Sequence, residues 1–198
     1  LVQHGRMLDP VAIPEDIDDD RLAGVKSATL TPWWVGETFA PSGFPPLEVR
    51  RTSSQEGFVD LDYDGVLIQV FDLAVLPVGS EPDQMLAVGA ALFDSPCTVT
   101  EPIDGPGTAL LLGRYFPDEV LAAEPPDDLT SAWEALATSD CPDAAPNVWT
   151  ATVDVDGLHI RVNPVLCTYC LTPPTSDLPY RTPDGLRAVV AALEPFEG

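Results

Sequence analysis

A chain of 198 residues with a formal charge of −23 and a single lysine, Lys26, repels nucleic-acid phosphates and anionic lipid head groups alike. Its hydrophobic content of 45% is that of a globular protein and excludes general disorder. No apolar run nears the roughly 20 residues that a membrane-spanning helix needs.

Residues 1–26 have no sustained hydrophobic period. Pro10 and Pro14 interrupt them, and Asp16, Asp18, Asp19 and Asp20 form an acidic cluster. They read as an extended arm, with Leu1, Val2, Met7, Leu8, Val11 and Ile13 as apolar anchors. Ordering each residue costs roughly 1–2 kcal/mol of backbone entropy. The arm is therefore expected to lie against another surface, either a neighbouring subunit or the protein's own sheet edge.

Ser27 to Val35 reads as a first strand, with Trp33 and Trp34 on opposite faces. One tryptophan belongs in the core. The other either packs under a loop or joins an exposed aromatic patch, so both are interaction candidates. A Pro/Gly loop from Ala40 to Pro46 leads to a second strand at Leu47–Thr52. From Gly57 to Leu73 two alternating runs flank Asp64-Gly65, a dipeptide suited to the positive φ angles of a two-residue hairpin turn. One face of this hairpin is apolar. The other mixes Phe58, Leu67 and Phe71 with Asp60, Asp62 and Gln69, which predicts a partly covered face.

Pro82 to Phe93 follows as a helix, with Pro at its first position and Met85, Val88, Gly89 and Leu92 on one stripe. Cys97–Thr100 and Ala109–Tyr115 read as strands around the turn Asp104-Gly105-Pro106-Gly107. Ser131-Ala-Trp-Glu134 is a capping-box pattern opening a short helix to about Thr138. From Asn147 the pattern NVWTATVDVDGLHIRV predicts a second hairpin, its loop at Asp156-Gly157. That loop fixes the register: Val155, Val153 and Ala151 face Leu158, Ile160 and Val162. Behind them, Asp154 faces His159 and Thr152 faces Arg161. The last helix is capped by Thr182, carries Leu186, Val189, Val190 and Leu193 on one stripe, and stops at Pro195.

The two halves echo one another. Leu61–Val70 aligns without gaps on Val153–Val162 with five identities in ten, and Pro82–Leu92 on Pro183–Leu193 with seven in eleven. Gly36-Glu-Thr-Phe39 weakly resembles Gly113-Arg-Tyr-Phe116. Recurrence in one order points to an internal duplication. The expected fold is α+β: an antiparallel β-sheet with covering helices, built as strands, Asp-Gly hairpin and helix, twice. The domain reading is an arm at 1–26 and a single domain at 27–198, with repeat-like halves at about 27–96 and 108–198.

Chemistry is harder to find. Asp60-Leu-Asp62-Tyr-Asp64-Gly65 opens like a calcium loop, but position twelve is Phe71 and strands flank it. Cys167-Thr-Tyr-Cys170 follows a strand, without the helix N-terminus that activates redox pairs. Cys97, Cys141, Cys167 and Cys170 are read as structural disulfides of unassigned pairing. His4 and His159 are the imidazoles, and no GxSxG, HExxH or phosphate loop occurs. No catalytic, cofactor or metal residue is assigned. With the start at Leu1, the cysteines and the scarcity of lysine, the sequence points to an extracytoplasmic, secreted or cell-surface protein. It reads as a non-catalytic binding module or a structural subunit, its partner a protein or other copies of itself. The alternatives are a secreted hydrolase using paired carboxylates and a calcium-dependent surface protein.

Overall fold

The computed structural model describes residues 20–63, 65–75, 97–115, 143–164 and 179–197. The arm's apolar anchors, the helices expected at 82–93 and 131–138, and three of the four cysteines lie outside these residues. A short helix α1 (Ala23–Ser27) comes first. The strands are β1 (Trp33–Trp34), β2 (Thr38–Phe39), β3 (Leu47–Gln55), β4 (Phe58–Tyr63), β5 (Val66–Asp72), β6 (Val99–Pro102), β7 (Thr108–Arg114), β8 (Val148–Val155) and β9 (Leu158–Asn163). A 3-10 turn (Pro179–Arg181), helix α2 (Pro183–Ala191) and β10 (Glu194–Pro195) follow. The class is α+β, weighted towards antiparallel sheet.

Eight strands form one sheet in the order β2-β3-β4-β5-β9-β8-β7-β6. Both Asp-Gly hairpins are present. Tyr63 pairs with Val66, Leu61 with Ile68 and Val59 with Val70 across the first. Val155 pairs with Leu158, Val153 with Ile160 and Ala151 with Val162 across the second, the register the sequence dictates. Asp156 has φ 51° and Gly157 φ 80°, the left-handed pair that a type I′ turn requires. The hairpins join through β5 and β9, where Gln69 faces Arg161, Ile68 faces Val162 and Val70 faces Ile160.

One face of the sheet builds the core. Val59, Leu61, Ile68, Val70, Leu111, Ala151, Val153, Ile160 and Val162 are fully buried there, with Leu186, Val189 and Val190 of α2. Helix α2 forms where it is expected. The Thr182 hydroxyl accepts from the Gly185 N–H at 3.1 Å, and Pro183 occupies the first turn.

Two segments depart from the sequence reading. Ser27–Val35 is not a continuous strand: only Trp33 and Trp34 pair, with Pro195 and Glu194 of β10. Pro32 supplies a carbonyl to the Phe196 N–H at 2.8 Å, so the C-terminal segment holds this stretch. The second departure is α1, within the stretch expected to be extended. Thr52 of β3 anchors it, its hydroxyl accepting from the Gly24 N–H at 2.9 Å and donating to the Arg21 carbonyl at 2.9 Å. Gly24 lets the backbones meet; a Cβ there would strike the Ser53 nitrogen and the Thr52 carbonyl carbon.

The upstream echo does not fall on equivalent strands. Gly36–Phe39 leads into the edge strand β2, whereas Gly113 lies in β7, hydrogen-bonded on both sides. A short segment match of that kind arises wherever a strand ends.

Candidate functional site

The second face of the sheet is where side chains with chemistry gather. Alternation along β4, β5, β8 and β9 sends Asp60, Asp62, Gln69, Thr150, Thr152, His159, Arg161 and Asn163 to this side, next to Phe58, Leu67 and Phe71. Phe58, Leu67, Phe71 and Gln69 are buried, so the mixed face is covered, as its composition predicts.

A continuous row of side-chain hydrogen bonds crosses four adjacent strands. Gln69 Nε2 donates to Asp60 Oδ1 at 3.0 Å, and Asn163 Nδ2 donates to Gln69 Oε1 at 3.0 Å. The Thr150 hydroxyl lies 2.6 Å from Asn163 Oδ1 and 2.8 Å from the Val162 carbonyl, with one proton to donate between them. Gln69 has no exposed surface. A buried amide without partners costs about 1–3 kcal/mol, and here both ends are bonded. Beside the row, His159 Nδ1 meets Asp154 Oδ1 at 2.7 Å on the more exposed part of the face. The His159 ring lies 6.2 Å from Phe71, which in turn lies 5.0 Å from Phe58.

Electrostatics follow from burial. Desolvation pushes the Asp62 carboxyl up, against the pull of Arg51 and Arg50. Arg51 approaches it only to 3.8 Å and is itself highly exposed. Arg114 is buried, and desolvation lowers its pKa.

On the core side, the Tyr63 hydroxyl is pushed well up by burial. It donates to the Gly36 carbonyl at 3.0 Å and accepts from the Val35 N–H at 3.4 Å. Tyr180 is raised for the same reason and donates to the Pro45 carbonyl at 2.6 Å. Both tyrosines pin loops to the sheet.

The other sequence candidates are dispersed. Trp33 is in the core, and Trp34 is half-buried, edge-on to Phe196 at 4.8 Å. Cys97 is disulfide-bonded, and its possible partners Cys141, Cys167 and Cys170 lie outside the described residues. Asp60 and Asp62 share a strand face, while Asp64 lies outside the described residues. Among those residues no group of three or more His, Cys, Asp or Glu side chains converges as a metal site would. Nor is any helix among them long and apolar enough to cross a membrane.

Sequence reasoning missed the roles of Gln69, Asn163 and Thr150. The signal was present at Gln69, which sits in Val66-Leu-Ile-Gln-Val-Phe71. A strand apolar on both faces is a central one, so its lone amide has to be buried and bonded. Asn163 and Thr150 carry no such mark, because their partners come from strands remote in sequence. No protein-family model, no curated protein and no solved structure matches this chain.

Proposed function

We propose that this protein is a non-catalytic binding module or structural subunit of a larger assembly, acting outside the cytoplasm. One observation carries the reading: the polar side chains on the sheet's second face are spent on one another. Asp60, Gln69, Asn163 and Thr150 close a chain of bonds within the fold. A general acid or base needs a proton-transfer atom directed at a substrate, and the amides here hold neighbouring strands in register. The tyrosines with raised pKa values likewise bond to loop carbonyls.

Two further parts belong to this proposal. The hairpins β4-β5 and β8-β9 are a pseudo-twofold pair left by duplication. The reciprocal register supports this: Ile68 faces Val162 and Val70 faces Ile160, with Gln69 against Arg161 at the centre. Residues aligned in sequence thus exchange places across the seam. The arm, through Leu1, Val2, Met7, Leu8, Val11 and Ile13, supplies assembly contacts, and all four cysteines are oxidised.

The competing hydrolase reading sets the test. The protein is assayed against chromogenic glycosides, esters and peptides, in parallel with Asp60→Asn and Asp62→Asn. No turnover above background is expected. Turnover that either substitution abolishes overturns the non-catalytic reading.

A further inference from the structure

The two outer edges of the main sheet are finished differently. On one side β6 carries Pro102, which has no N–H to offer. Its Glu101 is held by Arg187 of α2, with both carboxylate oxygens 2.9 Å from the guanidinium. On the other side β2 covers only the start of β3, pairing Phe39 with Leu47 and Thr38 with Glu48. From Arg50 to Gln55, no strand among the described residues pairs with the outer side of β3. That segment has no proline, and Arg50, Arg51, Ser53 and Gln55 are exposed.

The backbone groups it offers follow from the ladder. In an antiparallel sheet alternate residues bond to alternate sides. The Asp72 N–H bonds to the Gly57 carbonyl at 2.9 Å, so Gly57, Val59 and Leu61 bond towards β5. Phe58, Asp60 and Asp62 then bond towards β3, where Ser53 faces Asp60. Thr52 and Ser54 are left directing their N–H and C=O groups outward. Helix α1 does not close this edge, because it packs over the Thr52 hydroxyl on the core face.

The side chains select the strand that fits. Arg50–Gln55 contains two arginines and no acid, with Glu48 and Glu56 beyond its ends, in a chain of net charge −23. The global field opposes an acidic visitor at long range. At physiological salt the Debye length is about 8 Å, so the nearest charges decide the encounter. Arg51 is 80% exposed and its contact with Asp62 spans 3.8 Å, so the guanidinium is available to re-aim.

We propose that the outer edge of β3, from Arg50 to Gln55, accepts an extended acidic segment of another polypeptide as an added strand. The inference rests on the binding-module reading and names the class of its partner.

The probe is a blocked heptapeptide of alternating threonine and glutamate, titrated into the full chain with amide exchange followed by NMR. Binding slows exchange at Thr52 and Ser54. Ser54→Pro, which removes an outward N–H, abolishes binding while retaining the parent's melting curve. Arg51→Glu weakens binding by about tenfold. A lysine-for-glutamate peptide binds about tenfold more weakly than the probe.

Three results overturn the proposal: no protection at Thr52 and Ser54, a lysine peptide that binds equally well, or the same protection from self-association without peptide. The last would make a second copy the occupant. Mass spectrometry of the recovered peptide separates the two readings, since cleavage sinks the non-catalytic function and leaves the edge standing.

Discussion

The hairpins β4-β5 and β8-β9 agree on one face of the sheet and disagree on the other. Towards the core, Val59, Leu61, Ile68 and Val70 of the first answer to Ala151, Val153, Ile160 and Val162 of the second, all with no exposed surface. On the opposite face Asp60 stands where the second hairpin has Thr152, Leu67 where it has His159, Gln69 where it has Arg161, and Phe71 where it has Asn163. A shared core constrains both hairpins through the same packing, since interiors tolerate little change of volume. The other face is free to diverge, and its differences let one hairpin's amide meet the other's across the seam. Specificity in this molecule therefore belongs to the diverged face and the sheet edges.

The largest expected effect tests the agreement. Ile68→Ala and Ile160→Ala each remove a fully buried side chain and should each cost about 2–5 kcal/mol in denaturant unfolding. A large loss at one and little at the other would show that the hairpins do not share the core equally. Next comes the disagreement itself. Gln69→Ala removes the donor to Asp60 and the acceptor for Asn163, and should cost about 1–3 kcal/mol. A neutral result would mean that the polar row is ornamental.

Smaller effects sharpen the contrast. Thr182→Ala deletes the cap of α2, the helix on the conserved face, and should lower stability by about 1 kcal/mol. Amide exchange at Gly185 should rise while that in β5 holds.

The last effect has the opposite sign. Burial raises the Asp62 carboxyl, so the folded state holds its proton more tightly than the unfolded chain does. Stability is then lost as pH rises through the carboxylate range and Asp62 ionises. Asp62→Asn should melt above the parent at neutral pH, with the advantage shrinking as pH falls below the ordinary carboxylate value. A variant that melts lower at neutral pH would make the Arg51 contact the dominant one.

The sequence by itself determined the hairpins, their register and the closing helix, because each rests on local chemistry. Asp156-Gly157 adopts the positive φ angles of its turn without outside help, and alternation then assigns Val153 and Ile160 to one face. Thr182, Pro183 and the stripe at Leu186, Val189 and Val190 are equally local signals for α2. Tertiary structure decided what depends on partners distant in the chain. Trp33 and Trp34 look like the end of a long strand, but their ladder partners are Pro195 and Glu194. Ala23–Ser27 looks irregular and turns helical because Thr52 bonds to its first turn. Gln69, Asn163 and Thr150 are ordinary polar residues of strands until the sheet order sets β5 beside β9 and β9 beside β8. Only then do their side chains come within hydrogen-bonding distance, and burial makes those bonds necessary.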